Sequence, residues 1–477
     1  MKELKMYING KFVESRSGQW IDVLNPSTEE VISRQPEGTI EDVNEALDAA
    51  RAAQKPWAAT PAIERAAYLN KIADGIRKRR EEFIDIIMRE QGKTLTWATV
   101  EVDVTADYFD YMATFARHIE GEIIPSDRRG EIIMLTKKPI GVVAGILPWN
   151  FPFFLIARKA GAALIAGCTI VIKPSQLTPE NCTEFAKVID EVGLPAGVIN
   201  IVTGKGSVIG NEMAGSKKID IVSVTGSVGA GEQIMKAASQ NITKVSLELG
   251  GKAPAIVFPD ADLEATAQWV LDSRIGNNGQ ICNNAERLYV HSSIKEEFTQ
   301  LLLKKFENVK VGDPCKDHSV DMGPLVEKRA LESVEAKVAK AVEQGAKVLC
   351  GGHRVGDRGY FYAATLLDNC TQDMDIIHEE TFGPVLPIVA FDTEEQVIAW
   401  ANDVEYGLAS SVFTKDIDTA ARVTRALEFG ETYINREHFE AMQGFHAGVK
   451  KSGIGGADGK HGVEEYLSTH VTYLATH

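Results

Sequence analysis

A carboxylate and a thiol near the middle of the chain stand in surroundings that suit covalent catalysis. Glu248 is followed by Gly250 and Gly251, and Cys282 is preceded by Gly279. A cysteine attacks as its thiolate, and a later hydrolysis needs a base to activate water. The glycines let backbone amides approach a bound ligand because no Cβ stands in the way. Each residue taken singly would favour another interpretation. In it, Cys282 is a small buried hydrophobic residue and Glu248 is a solvated charge at a strand end.

Six short motifs resemble those of the aldehyde dehydrogenase superfamily and follow in the same order. They are PWNFP at 148–152, IVIKPS at 170–175, TGS at 225–227, ELGGK at 248–252, GQIC at 279–282 and EETFGPV at 379–385. The resemblance implies that Cys282 attacks an aldehyde carbonyl and that Glu248 is the general base for hydrolysis. It also implies an oxyanion hole made by the Asn150 side chain and the Cys282 backbone N–H. The implied reaction oxidises the aldehyde to its acid through a thiohemiacetal and a thioester.

The elements that must position these residues alternate between apolar strands and amphipathic helices from Gly141 onward. This alternation is typical of a parallel sheet covered on both faces, with ligands bound at the carboxyl ends of the strands. Asn150, Lys173, Gly226 and Glu248 all fall at such ends. We therefore predict an α/β fold like that of the aldehyde dehydrogenases. Its doubly wound parallel sheets would form cofactor and catalytic domains, with a β oligomerisation arm added.

The predicted domains follow from this pattern and from the resemblance. We expect an NAD-binding domain at 1–120 and 139–249, a catalytic domain at 250–440, an oligomerisation arm at 121–138 and 460–477, and a substrate-funnel loop with its connection at 441–459. The segment 121–138 has two strand patterns around a polar turn, and the alternating tail THVTYLATH is a plausible partner strand. The alternative for 121–138 is an ordinary surface hairpin.

The resemblance also implies a nicotinamide cofactor. The residues it implies in cofactor binding are Trp149, Lys173, Ser175, Gln176, Gly226, Ser227, Glu380 and Phe382. Gly226 and Ser227 open a predicted helix, whose free N–H groups suit a pyrophosphate. Lys173 would contact the adenosine ribose and Glu380 the nicotinamide-side ribose.

One cofactor position departs from the family pattern. NAD-preferring relatives commonly carry glutamate after KPS, where this chain has Gln176. A neutral side chain removes the repulsion of a 2′-phosphate. We therefore expect NAD, with NADP also possible, and expect NAD to remain favoured because no arginine replaces the glutamate nearby.

Four polar residues occupy predicted funnel positions. Alignment of the motifs places Arg158, Glu440 and His446 where relatives that act on apolar aldehydes carry aromatic residues, and Asn283 follows the nucleophile. An unpaired buried polar group costs about 1–3 kcal/mol, so we expect a small hydroxyaldehyde such as lactaldehyde or glycolaldehyde. The loop INREHFEAMQGFHAG is most similar to that of bacterial enzymes acting on these two aldehydes.

Several alternatives stay open for the substrate and for the chemistry. Arg158 and Glu440 would pair with each other and only shape the pocket, or Arg158 would bind the distal carboxylate of a semialdehyde such as succinate semialdehyde. A broad-specificity aldehyde dehydrogenase and a catalytically silent homologue are the remaining two. The family often has Arg-Glu where Gly456-Ala457 stand here, and that glutamate assists a proton relay. Asp458 or Lys159 would replace it.

Composition excludes other classes of function. The chain has 51 basic and 67 acidic side chains, a net charge of −16, which argues against binding to nucleic acid or to an anionic membrane. No signal-peptide pattern and no apolar run of about 20 residues is present. Six cysteines lie scattered without metal-ligand spacing, so we expect free thiols, no metal site and a cytoplasmic location. The expected partners are a small aldehyde and further copies of the chain, as a dimer or tetramer.

Overall fold

The computed structural model describes residues 1–476 and contains two large sheets. The first has eight strands, which in spatial order are Gly453–Ile454, Lys244–Glu248, Ile221–Thr225, Val142–Ile146, Thr169–Lys173, Ile199–Ile201, Met6–Ile8 and Lys11–Val13. The five strands from Lys244–Glu248 to Ile199–Ile201 run parallel, and the other three pair antiparallel. Val143 and Val142 enter apolar clusters on opposite faces, as the two-residue period of a strand requires. The sheet is therefore doubly wound, as predicted.

Helices pack on both faces of this sheet. One face carries Ala62–Lys78, Arg80–Gln91, Leu95–Thr114, Phe154–Ala166 and Glu180–Glu191, and the other carries Ile40–Ala59, Gly206–Gly210, Asn211–Gly215 and Val228–Ala238. Pro56 does not end the first helix, which continues to Ala59, and the next helix begins after Pro61. Pro56 lies in the last turn of this helix. Its missing N–H removes one hydrogen bond there, close to the point where the helix ends. Gly92, with φ 81°, caps the C-terminal end of the helix Arg80–Gln91.

The second sheet has seven strands and forms the core of the other half. In spatial order they are Lys347–Cys350, Thr365–Asp368, Val385–Phe391, Ala285–His291, Ala253–Val257, Ala409–Phe413 and Glu431–Ile434. All neighbours are parallel except the antiparallel edge strand Lys347–Cys350. One face packs against the helices Leu263–Ile275 and Lys295–Glu307, and the other against Lys328–Glu343, Asp375–His378, Glu394–Asn402 and Ile417–Ala426. This sheet too is doubly wound, which completes the predicted α/β class.

A three-stranded antiparallel sheet extends the fold. The strand Glu131–Pro139 lies between Glu122–Pro125 and Leu467–Ala475, and Leu135 faces Val471. The predicted pairing of 121–138 with the tail is thus observed within one chain. The predicted range of the arm ends at His477, which lies outside the described residues. Its start at 460 includes part of the helix Gly459–Glu464, which precedes the strand.

The glycine-rich run 453–462 contains a short strand and a helix. Gly453–Ile454 pairs antiparallel with the end of Lys244–Glu248, and Gly459–Glu464 is a helix. A Cβ at Gly453 would lie 2.3 Å from the Leu247 carbonyl oxygen, so the glycine permits this pairing. The run therefore closes the sheet at the strand that carries Glu248.

Smaller elements complete the described chain. Asn9 and Gly10, both with positive φ, form the turn of a hairpin between Met6–Ile8 and Lys11–Val13. There are two small sheets. One has the three strands Lys2–Glu3, Val31–Pro36 and Trp20–Leu24, and the other has the two strands Tyr406–Gly407 and Val449–Lys450. Short 3-10 turns are Phe115–Arg117, Ser239–Asn241, Gly276–Gly279 and Ser292–Ile294. Within residues 1–476, no helix combines the length and the apolar character needed to cross a bilayer.

Candidate active site

Close backbone contacts bring the glycine-containing motifs together around the thiol. A Cβ at Gly251 would lie 2.2 Å from the carbonyl oxygen of Cys282, and one at Gly279 would lie 2.3 Å from the Gly383 backbone. Neither position accepts a larger residue unless the backbone moves. The turn before Cys282 also contains Asn277 and Asn278 with positive φ. ELGGK, GQIC and EETFGPV, distant in sequence, therefore meet at one place.

Cys282 and Asn150 both lie at the junction of two cavities, one of about 330 Å³ and one of about 390 Å³. The Asn150 Nδ2 donates to the Gln280 carbonyl at 3.0 Å, and the Asn150 carbonyl accepts from Asn277 Nδ2 at 3.0 Å. These bonds hold the amide beside the cysteine segment. The predicted oxyanion donor and the predicted nucleophile are thus neighbours.

A buried carboxylate fixes the chain just after Asn150. Glu101 accepts the backbone N–H groups of Phe153 and Phe154 at 2.8 and 3.1 Å, and it pairs with the buried Lys93. Burial lowers the pKa of Lys93 to about 8, although Glu101 opposes this shift. Sequence reasoning missed Glu101, since it reads as an ordinary charge on an amphipathic helix.

Glu248 ends its strand and is buried beside two donors. Its Oε2 accepts the Thr225 hydroxyl at 2.7 Å, and Lys159 Nζ lies 3.9 Å from the same oxygen. Burial by itself would raise the pKa of Glu248, but Lys159 and Arg158 outweigh it and lower that pKa. Of the two candidates for the relay, Lys159 lies at Glu248 and also donates to Ser223 at 3.1 Å.

Asp458, the other candidate, holds Arg158 instead. The two side chains form a bidentate pair, with N–O distances of 3.1 and 2.8 Å. Burial raises the pKa of Asp458 to about 6, with Arg158 opposing the shift. Asp458 thus holds Arg158, which lines the cavity of about 330 Å³, a role that its place in a glycine-rich run did not predict.

The four predicted funnel residues all line the cavity of about 330 Å³. Arg158 also donates to Glu440 at 2.9 Å, and Asn283 donates to the other Glu440 oxygen at 2.7 Å. Burial would raise the pKa of Glu440, but His446 and Arg158 hold it at about 2. The alternative that Arg158 and Glu440 pair is therefore observed, within a network that also includes Asn283.

His446 is held by two residues that sequence reasoning missed. Its Nδ1 lies 2.6 Å from Glu431 Oε1, and the Tyr433 hydroxyl donates to Glu431 Oε2 at 2.5 Å. Burial alone would lower the pKa of His446, but the Glu431 carboxylate outweighs it and raises that pKa well above its usual value. The sequence offered one signal for Glu431 and Tyr433. They lie two apart in the strand ETYI, and residues two apart on a strand share a face.

The cavity of about 390 Å³ gathers most of the predicted cofactor residues. Trp149, Gly226, Ser227, Glu380 and Phe382 all line it. Ser227 caps the helix Val228–Ala238, whose first N–H groups follow directly after it. Such a helix end at a strand terminus fits a pyrophosphate.

Glu380 completes the fit of this cleft to a nicotinamide dinucleotide. It accepts the Gly251 N–H at 2.8 Å, and a Cβ at Gly250 would lie 2.7 Å from its Oε2. Burial, aided by Glu286, raises the pKa of Glu380 to about 7. A carboxylate held against glycine backbone suits hydrogen bonds with ribose hydroxyls.

Three predicted cofactor residues lie farther along the first sheet. Lys173 is buried, donates to the Pro174 carbonyl at 3.0 Å and has a pKa lowered to about 8 by burial. The Ser175 hydroxyl accepts from the Leu177 N–H at 3.2 Å. Gln176 is exposed and lines a separate cavity.

The surroundings of Gln176 contradict the expectation that no arginine lies nearby. Its cavity is also lined by Lys328 and Arg329, which come from the other sheet's half of the chain. Sequence proximity could not show this, because the two segments meet only through the fold. Asp22, Glu327 and Glu332 line the same cavity, so charges of both signs face the neutral Gln176.

Comparisons with known proteins agree with this geometry. Residues 12–472 match the model described as the aldehyde dehydrogenase family. The chain is 58% identical to lactaldehyde dehydrogenase of Escherichia coli strain K12 over 469 residues, 98% of each chain. A solved structure of lactaldehyde dehydrogenase superposes with a TM-score of 0.99 at 57% identity and 99% coverage of both chains.

A more distant structure bears on the cofactor. Betaine aldehyde dehydrogenase from Staphylococcus aureus, solved in complex with NAD⁺, is 38% identical, with 98% of this chain and 94% of that chain covered, and has a TM-score of 0.96. The family match over nearly the whole sequence and the identity to a full-length relative establish that this chain belongs to the aldehyde dehydrogenase family and is an oxidoreductase.

Proposed function

We propose that this aldehyde dehydrogenase oxidises a small hydroxyaldehyde, lactaldehyde or glycolaldehyde, with NAD and a covalent Cys282 intermediate. The observation that carries the proposal is the position of Cys282 between a polar cavity and a cleft suited to a dinucleotide. A nucleophile at this junction contacts an aldehyde on one side and faces its electron acceptor on the other.

The proposed roles follow from the contacts of each residue. The Cys282 thiolate adds to the carbonyl, and the Asn150 amide with the Cys282 N–H stabilises the resulting oxyanion. Trp149, Glu380 and Phe382 would hold the nicotinamide cofactor, which would supply the hydride acceptor for the oxidation. Glu248 then takes a proton from the water that attacks the thioester, and Lys159 passes protons onward from its position 3.9 Å away.

The wall of the cavity of about 330 Å³ favours a substrate that carries a hydroxyl over one that carries a carboxylate. Arg158 is already neutralised by Asp458 and Glu440, so the distal carboxylate of a semialdehyde would meet two anions beside it. Asn283 Oδ1 is buried and finds no hydrogen-bond donor in the described part of the chain. A substrate hydroxyl would supply that donor, and the relative from Escherichia coli is a lactaldehyde dehydrogenase by its name.

For the cofactor we propose NAD, with NADP as a second acceptor. Neutral Gln176 places no negative charge against a 2′-phosphate, and Lys328 and Arg329 line the same cavity. These two cations would attract the additional phosphate, against the carboxylates of Asp22, Glu327 and Glu332 in the same lining.

We further propose that the three-stranded sheet is an oligomerisation arm that binds a second copy of the chain. Its strands expose Ile123 and Tyr473, at 76% and 67% of their full accessible areas. Exposed edge strands with apolar side chains are protected when another subunit covers them. Dimer and tetramer both satisfy this requirement.

We assign the enzyme to the cytoplasm, since all six of its cysteines are free thiols. Fractionation of the native cells tests the assignment, and recovery of the enzyme with periplasmic or secreted markers would contradict it.

The roles of the two central residues are tested by separate substitutions. Cys282→Ala should lower the turnover of lactaldehyde by about 10³-fold or more, because no other thiol reaches the junction, while cofactor binding persists. Glu248→Gln should slow hydrolysis more than acylation, so a burst of reduced cofactor should appear in stopped-flow measurements. Cys315→Ala, at an exposed thiol, is the control. Near-normal turnover by Cys282→Ala would refute the assignment.

Substrate choice is tested with kcat/KM for lactaldehyde, glycolaldehyde, propanal and succinate semialdehyde. The parent should prefer lactaldehyde to propanal by about 10- to 100-fold, the worth of one hydrogen bond to this polar wall. Asn283→Leu should reduce that ratio by about tenfold, whereas Met442→Leu, in the apolar wall, should preserve it. Equal rates for lactaldehyde and propanal would sink the proposal. Strong selection of succinate semialdehyde, lost in Arg158→Leu, would establish the semialdehyde alternative.

Cofactor choice is tested by the ratio of kcat/KM with NAD to that with NADP. Gln176→Glu should raise this ratio by about 10- to 100-fold through repulsion of the 2′-phosphate. Arg329→Ala should raise it by about three- to tenfold through loss of attraction. Arg358→Ala removes an exposed charge that pairs with Glu30 and serves as the control. A ratio unchanged in both test variants would exclude this cavity from phosphate recognition.

The arm is tested by the mass of the enzyme in solution. Combined Ile123→Asp and Tyr473→Asp should shift sedimentation towards a smaller species, because charges would be buried at the proposed interface. Ile417→Asp is the matched control, since Ile417 is 77% exposed on a helix of the other half. Unchanged mass in the double variant, or a parent enzyme that sediments as a monomer, would contradict the proposal.

A further inference from the structure

The imidazole of His446 is buried and fixed from several sides. The backbone N–H of His446 donates to the Ala457 carbonyl at 2.9 Å, and the Ala457 N–H donates back at 2.8 Å. Nδ1 lies 2.6 Å from Glu431, whose other oxygen accepts the Tyr433 hydroxyl. A carboxylate at Nδ1 sets the tautomer in which this nitrogen carries hydrogen. Nε2 is then the nitrogen that is free to accept a proton.

The same imidazole is next to the nucleophile. His446 and Cys282 line one cavity, and each side chain shifts the pKa of the other. Because Nδ1 is engaged by Glu431, Nε2 is the nitrogen left for the thiol. The arrangement of thiol, imidazole and carboxylate matches that of a nucleophile, its base and the group that orients the base.

We infer that His446 is a catalytic residue that takes the thiol proton of Cys282, with Glu431 and Tyr433 as positioning residues. This inference rests on the proposed role of Cys282 as the nucleophile. The S–H bond breaks, an N–H bond forms at Nε2, and the sulfur electron pair attacks the carbonyl carbon. Hydrolysis of the thioester releases the thiolate again, so the imidazolium keeps its proton from one turnover to the next.

The charges around the pair support this assignment. Burial raises the pKa of the Cys282 thiol, and His446 opposes that shift. Glu431 raises the pKa of His446 well above its usual value against the effect of burial, so the imidazole is a stronger base towards the thiol and holds the transferred proton as an imidazolium. The other charged or titratable groups facing the pair are Arg158, Glu248, Tyr433, Glu440 and Asp458.

Glu248 is less suited to the same step. Its Oε2 accepts the Thr225 hydroxyl and faces the Lys159 ammonium, and its pKa is lowered by its cationic neighbours despite burial. A carboxylate of lowered pKa is a weak base towards a thiol. The structure thus supplies two bases, His446 for the thiol and Glu248 for the water.

The experiment measures the alkylation of Cys282 by iodoacetamide between pH 5.5 and 9.5 in the full-length enzyme without aldehyde or cofactor. Quantitative mass spectrometry follows Cys282, and the exposed Cys315 is an internal reference in the same digest. The variants are His446→Gln and Glu431→Gln, with His461→Gln as a control that removes an exposed histidine paired with Glu464. Circular dichroism and thermal melting identify the variants that fold.

In the parent, alkylation of Cys282 should remain fast at pH 7. His446→Gln should slow it by about 10- to 100-fold and move its pH profile upward by about one pH unit or more. Glu431→Gln should give a smaller change in the same direction, and neither variant should alter Cys315. If His446→Gln fails to fold, the shift in Glu431→Gln decides the question.

The inference is overturned if the folded variants keep the parent's alkylation profile. A raised KM for lactaldehyde with an unchanged profile would assign His446 to substrate binding alone. Failure of the proposed function is distinguishable, because Cys282→Ala would then retain turnover whatever the alkylation rates are.

Discussion

The contact between Gly251 and the backbone of Cys282 is the constraint on which the site depends. With only 2.2 Å between a Cβ there and the Cys282 carbonyl oxygen, the two segments meet only because one of them has no side chain. The strand that ends at Glu248 thereby comes to lie against the turn that presents the thiol. Gly279 permits the equivalent approach to the segment after Glu380. Catalytic and cofactor groups from both halves therefore share one small volume.

Buried carboxylates then fix the loops that the glycines bring together. Glu286 accepts the N–H groups of Thr381 and Phe382 at 3.0 Å each, while Lys252 and Arg274 balance its charge. Burial would raise the pKa of Glu286, but Lys252 and Arg274 hold it at about 2. Removing one partner of a buried ion pair costs about 3–5 kcal/mol, so such loops keep a single conformation. Glu101 acts in the same way on the loop after Asn150.

The charged side chains around the cavity of about 330 Å³ are paired with side chains of opposite charge. Arg158 faces two carboxylates, and Glu431 faces His446, so the wall presents oriented dipoles and hydrogen-bonding atoms. Such a wall discriminates by the pairing of buried polar groups, which is stronger than discrimination by size in an apolar pocket. It also keeps the environment of the thiol cationic on one side, where a thiolate is stabilised. In the proposed mechanism, substrate choice and activation of the nucleophile use the same network.

The sequence by itself determined the α/β class, the strand ends that carry Asn150, Lys173, Gly226 and Glu248, and the family, because strand and helix periods and short motifs are local properties. It also singled out Arg158, Asn283, Glu440 and His446, through their distances from motifs. Only the tertiary structure decided which charges meet. Asp458 pairs with Arg158, Glu431 holds His446, and Arg329 lies in the cavity of Gln176. Each of these contacts joins segments far apart in the chain, and a carboxylate's partner depends on how strands and loops pack, which no local pattern records.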